Sequence, residues 1–202
     1  MPQGEMKTIA LQGVELPYVR TGSGPPLVIL HGGGGPDVEL PFAHRLAERF
    51  EIVAPVHPGF AGTSIPDDFN RLDDLVFLYL DLLDALDLKN VALMGFSMGG
   101  WIAAELAILN TSRLSKLILV DSVGVKVGGR EDRDIADVFA LPYEKVAELT
   151  YHDPSMAPVP ADIPDQQLHI IAANQIALGV YTWEPYMHNP KLPRRLHRIK
   201  IP

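Results

Sequence analysis

Asn90-Val91-Ala92-Leu93-Met94-Gly95-Phe96-Ser97-Met98-Gly99-Gly100-Trp101 decides the fold. Asn90 to Gly95 is an almost unbroken apolar run, the pattern of a strand buried on both faces. Met98 to Leu109 reads as a helix. Between them Gly95-Phe96-Ser97-Met98-Gly99 matches G-x-S-x-G, with Gly100 following. A chain that turns from strand to helix this abruptly holds the central serine in a strained backbone conformation. Side chains two places away would clash, which is why glycines stand there. The helix start below the serine offers free N–H groups to a developing negative charge. Ser97 is therefore the candidate nucleophile. The plainer alternative is a serine that only starts the helix as its N-cap.

Working outward, Leu27-Val28-Ile29-Leu30 is a second buried strand, ending in His31-Gly32-Gly33-Gly34-Gly35. Glycines there let the backbone approach a substrate and turn an N–H inward. Gly33 (or Gly34) together with Met98 is the predicted oxyanion hole; the alternative is an ordinary flexible glycine turn. His31 reads as a structural hydrogen-bonding residue. Ile52 to Val56 is another strand, running into the loop His57 to Ser64. Lys7–Gln12 and Val14–Arg20 predict a hairpin around Gly13. Pro41–Phe50 and Arg71–Leu88 predict helices, the second with Leu72, Leu75, Val76, Tyr79, Leu82, Leu83 and Leu86 at helical spacing. Lys116 to Val120 is a further strand.

Alternating strands and helices predict an α/β fold: a mostly parallel sheet covered by helices, over residues 1–123. Residues 124–198 carry helical stretches at Asp134–Ala140, Tyr143–Tyr151 and Asp162–Thr182, and read as a helical lid inserted into that core. Residues 199–202, Ile199-Lys200-Ile201-Pro202, look like the start of a further core strand.

Composition narrows the function. The 202 residues are 47% hydrophobic and carry a formal net charge of −8, which argues against nucleic acid as a partner. The basic segment Lys191–Lys200 reads as a solvated helix face. No cysteine is present, so disulfides, thiolate metal sites and cysteine nucleophiles are excluded. No apolar run is long enough to span a bilayer, and Met1–Ala10 lacks the apolar core of a signal peptide. The expectation is a soluble, cytoplasmic protein without a membrane partner.

Leu30-His31-Gly32-Gly33, Pro58-Gly59-Phe60-Ala61-Gly62-Thr63-Ser64, Gly95-Phe96-Ser97-Met98-Gly99-Gly100 and Leu117-Ile118-Leu119-Val120-Asp121 together resemble the lid-bearing branch of the α/β-hydrolase superfamily. The resemblance implies a serine hydrolase of small carboxylic esters or lactones, acting through an acyl-enzyme on Ser97. Hydrolysis of a carbon–carbon bond next to a ketone is the alternative within the fold, and a non-catalytic ligand-binding protein the alternative outside it. The substrate is a small molecule, and neither metal nor organic cofactor is implied. Members that carry Asp at the serine position are dehalogenases and epoxide hydrolases, so Ser97 speaks against those activities.

The resemblance also implies an order of serine, acid, histidine, which places the acid and the histidine beyond residue 202 and leaves this chain inactive or weakly active. Asp121 is the candidate acid within the chain, against a structural role. His169 reads as a surface or lid-packing residue. Gly34, Trp183 and His188 are candidate substrate contacts, against packing for the last two. An incomplete sheet would pair with a second copy or exchange elements with it.

Overall fold

The computed structural model describes residues 4–36, 42–129, 131–132 and 134–202. β1 (Glu5–Leu11) and β2 (Val14–Gly22) form an antiparallel hairpin in which Leu11 faces Val14. Its two-residue turn has Gln12 at φ 51° and Gly13 at φ 77°, the left-handed pair that matches strand twist in a tight hairpin. β3 (Pro26–Leu30), β4 (Glu51–Pro55), β5 (Val91–Phe96) and β6 (Leu114–Val120) complete one six-stranded sheet of order β1-β2-β4-β3-β5-β6. β3, β4, β5 and β6 run parallel, and β2 joins β4 antiparallel.

At β3, β4 and β5 both faces of the sheet are covered, which explains why these central strands are apolar without alternation. Val28 and Leu30 face the larger core, shared with α2 (Leu72–Ala85) and α3 (Met98–Leu109). Leu27 and Ile29 face a smaller core on the other side, with Ala43 of the short helix α1 (Ala43–Ala47). α1 is shorter than the predicted Pro41–Phe50, and Pro41 lies outside the described residues. α2 buries the predicted apolar stripe, and Asp74 accepts the Asn70 and Arg71 N–H groups at 2.9 Å each to cap its start.

Beyond β6 the described residues carry α4 (Tyr143–Thr150), α5 (Asp165–Thr182) and three single 3₁₀ turns. The helix predicted over Asp134–Ala140 is not formed. Asp134 instead accepts the Val127 and Gly128 N–H groups at 2.6 Å each, and the Asp137 side chain accepts from Phe139 and Ala140. Such side-chain-to-backbone bonds compete with a helix. α5 begins at Asp165 rather than Asp162 because Pro164 stands at its N-cap. Ala177, Leu178, Tyr181, Met187 and Leu192 join the larger core, so this segment packs on the sheet domain.

Ile199–Pro202 is not a strand, but it approaches one. Ile199 and Ile201 pack against the larger core, and the Pro202 carbonyl accepts the Leu117 N–H at 2.9 Å along the outer edge of β6. Among the described residues, no helix is long and apolar enough to cross a membrane.

Candidate active site

β3 and β5 are neighbours with Leu30 opposite Gly95, so the segments that follow them emerge side by side at the carboxyl end of the sheet. Ligands in open α/β sheets bind at such ends. Ser97 stands there between β5 and α3 at φ 47°, ψ −114°, a left-handed strained conformation for a non-glycine residue. Its backbone is held from two sides. The Ser97 N–H donates to the Val120 carbonyl at 3.0 Å, and its carbonyl accepts from Trp101 at 3.1 Å and Val123 at 3.3 Å.

The glycines around it are there for space. A Cβ on Gly95 would overlap the Gly99 backbone, one on Gly99 would overlap the Leu30 and His31 carbonyl oxygens, and one on Gly100 would stand 2.7 Å from the Ser122 hydroxyl. The first turn of α3 thus packs directly on the end of β3. Met98 is fully buried at the first position of the helix, where an N–H has no intrahelical acceptor.

The glycine loop is anchored by a buried pair of histidines. The His57 N–H donates to His31 Nε2 at 3.0 Å, so His31 Nδ1 carries the hydrogen and donates to the Gly32 carbonyl at 2.7 Å. His57 Nε2 in turn donates to the His31 carbonyl at 2.8 Å, and His57 Nδ1 accepts from the Tyr79 hydroxyl of α2. The rings lie against each other at a 34° tilt with centroids 3.7 Å apart. Burial, with a smaller electrostatic contribution from the neighbouring His31 ring, holds the His57 pKa well below the usual histidine range, and burial pushes the Tyr79 hydroxyl well up. His57 is therefore a neutral structural group. His31 sits in the same network, as its sequence position suggested.

α5 lies across the loops that follow β3 and β4. Leu178 covers Gly33 so closely that a Cβ there would stand 2.7 Å from a Leu178 methyl carbon. The Tyr181 hydroxyl donates to the Pro58 carbonyl at 3.1 Å. Asn174 donates from Nδ2 to the Gly34 carbonyl and accepts the Ala61 N–H on Oδ1, both at 2.9 Å. A strained serine at a helix start beside a covered glycine loop can present an alcohol and backbone N–H donors to one carbonyl group.

Residues 25–154 match the sequence profile of the alpha/beta hydrolase fold. The chain belongs to that family.

Within this hydrolase family it is 33% identical over 170 residues to a 2-hydroxymuconate semialdehyde hydrolase from Pseudomonas sp. strain CF600, covering 72% of this chain and 59% of the relative. It is 31% identical to a 2-hydroxy-6-oxo-2,4-heptadienoate hydrolase from Pseudomonas putida F1, covering 69% of this chain and 59% of that one. The chain thus spans 59% of the length of these curated relatives. A bacterial membrane phospholipase A superposes with TM-score 0.76 at 24% identity, covering 98% of this chain and 67% of that chain. At that identity the likeness speaks for the hydrolase fold alone.

The remaining candidates are dispersed. Gly34 is exposed, with its carbonyl taken by Asn174. Trp183 is 62% exposed just beyond α5, with Phe139 and Tyr186 as its aromatic neighbours at 6.2 and 6.5 Å. His188 is half-buried and donates from Nδ1 to the Tyr186 carbonyl at 2.8 Å. Its backbone pairs with Gly124, just past β6. Asp121 and His169 are exposed. No described hydrogen bond joins any of these residues to the Ser97 hydroxyl.

Sequence reasoning missed His57, Tyr79 and Asn174. Asn174 had a signal: it is the amide in the buried stripe Asn174, Ala177, Leu178, Tyr181 and Thr182.

Proposed function

We propose that the whole protein is a serine hydrolase that breaks a carbon–carbon bond next to a ketone in a hydroxy-oxo-dienoic acid. The observation that carries the serine part is the strained Ser97 at the start of α3, beside the Gly33 loop. The relatives carry the substrate part. A 2-hydroxy-6-oxo-2,4-heptadienoate contains a ketone, an enol and a carboxylate but no ester or amide. Its hydrolysis therefore has to cut carbon–carbon.

In this reading the Ser97 hydroxyl adds to the ketone carbon and gives up its proton to a base. The Met98 and Gly33 N–H groups hold the oxyanion. The bond to the dienoate breaks, its electron pair stays with the dienoate carbon, and that carbon takes a proton. Water then hydrolyses the acyl-serine, so one water is consumed and two acids leave. Residues 124–198 act as the lid that excludes water, with α5 as its inner wall. The ester or lactone reading uses the same serine and the same donors with an alkoxide leaving group.

The test is turnover of a 2-hydroxy-6-oxo-dienoate, followed by loss of its conjugated absorbance, beside a p-nitrophenyl ester. A kcat/KM higher for the dienoate, lowered by about 10³-fold or more in Ser97→Ala, is expected. Ester turnover alone would move the assignment to ester hydrolysis. Dienoate binding with no turnover, unchanged in Ser97→Ala, would make the protein a ligand-binding member of the fold.

A further inference from the structure

The Asn174 side chain is 4% exposed and stands in a stripe otherwise made of Ala177, Leu178, Tyr181 and Thr182. Burying an amide among such residues is unfavourable unless its hydrogen-bonding groups are met. Here the two partners come from different loops: the Gly34 carbonyl lies 140 residues away in sequence and the Ala61 N–H 113. A Cβ on Gly35 would stand 2.7 Å from the Asn174 amide nitrogen, so the loop is pressed against the side chain as well as bonded to it. The loop that Asn174 grips is the one that offers Gly33.

We infer that Asn174 is a positioning residue that locks the Gly33–Gly35 loop into its oxyanion-binding shape, and does so only while α5 is seated. The inference rests on the hydrolase reading for its catalytic consequence, not for the clamp itself. One amide donates to one loop and accepts from the other, so lifting α5 removes a contact from both loops at once and leaves the glycine loop held only at its His31–Gly32 base. Leu178, the next turn along, covers Gly33 in the same movement. The Gly33 donor is then set by closure of α5, while the Met98 donor stands ready at the start of α3. A carboxyl group offers the same pair of functions only when protonated, with one O–H to donate and one oxygen to accept. Ionised, it still accepts from Ala61 but repels the Gly34 carbonyl.

Amide exchange of the 202-residue chain, read residue by residue by NMR, tests this. The Gly35 N–H, bonded to the Gly32 carbonyl at 3.2 Å, reports the glycine loop, and the Ala61 N–H reports the other. In Asn174→Ala the protection of both is expected to fall, by about tenfold for each bond lost. In Asn174→Asp near neutral pH, Gly35 is expected to lose protection while Ala61 keeps it. As the pH falls and the carboxyl takes its proton, Gly35 is expected to recover toward the wild type. In the active whole protein, Asn174→Ala is expected to lower kcat by about tenfold and leave KM within about twofold.

A residue that merely stabilised α5 would not give the split between the two loops, nor its recovery with acid. Unchanged protection in Asn174→Ala, or equal loosening of both loops in Asn174→Asp at every pH, overturns the clamp. If Asn174→Ala does not fold, the pH series in Asn174→Asp alone decides. Exchange needs no reaction at Ser97. An unreactive serine with the exchange pattern intact therefore overturns the hydrolase reading and leaves the clamp standing.

Discussion

α3 and α5 are both long, apolar helices, and they are used differently. α3 buries ten of its twelve residues, and glycines let its first turn rest on the backbone of β3. α5 buries five of eighteen, all along one stripe, and leaves Ile176 at 65% exposure on the other side. α3 is positioned by backbone against backbone, which hardly yields. α5 is positioned by side chains (Asn174, Leu178 and Tyr181) reaching to loops. The difference teaches that the serine belongs to the rigid part of the molecule, while the cover over the glycine loop is held by a few replaceable contacts.

The comparison breaks most sharply at Gly99. Gly99→Ala puts a methyl group onto the Leu30 and His31 carbonyl oxygens, where no side chain can move aside. A loss above about 4 kcal/mol in urea unfolding is expected, enough to prevent folding. A loss below about 1 kcal/mol would show that the elbow is as adaptable as α5.

The two faces of α5 sharpen it further. Leu178→Ala removes a side chain that is 6% exposed and is expected to cost about 2–3 kcal/mol. Ile176→Ala, on the exposed face, is expected to stay within about 0.5 kcal/mol. Equal losses in thermal unfolding would mean that the outer face is covered in solution.

The last test concerns pH. His57 has a folded-state pKa well below 6.5, so the unfolded chain binds a proton that the folded one refuses. Stability from this group is complete above the unfolded pKa. It falls as the pH drops from about 6.5 toward the folded value, by at most about 1.4 kcal/mol per pH unit. Unfolding free energies measured across that range should show the slope. A flat profile would mean that His57 accepts a proton in place, and that the anchor of the glycine loop is looser than α3 is.

Much of the core was legible because its signals are local. The Gln12-Gly13 turn, the apolar runs of β3 to β5 and the glycines around Ser97 each answer a backbone requirement met within a few residues. The Asp134–Ala140 segment misled for the opposite reason. Its helix-compatible sequence carries two aspartates whose carboxylates found backbone N–H groups in three dimensions. His57 and Tyr79 were passed over because neither belongs to a motif, and only folding brings them onto His31.

Sequence alone therefore determined the parallel sheet, the strand–serine–helix turn and the glycine loop beside it. These are periodicities and steric exclusions, and chain connectivity carries them directly. Tertiary structure alone decided that His57 anchors the glycine loop, that Trp183 faces outward, and that Asn174 bridges residues 34 and 61. An isolated Asn in an apolar helix reads the same whether it faces solvent or two loops. Only packing, which sets what lies within 3 Å of its amide, gives it a task.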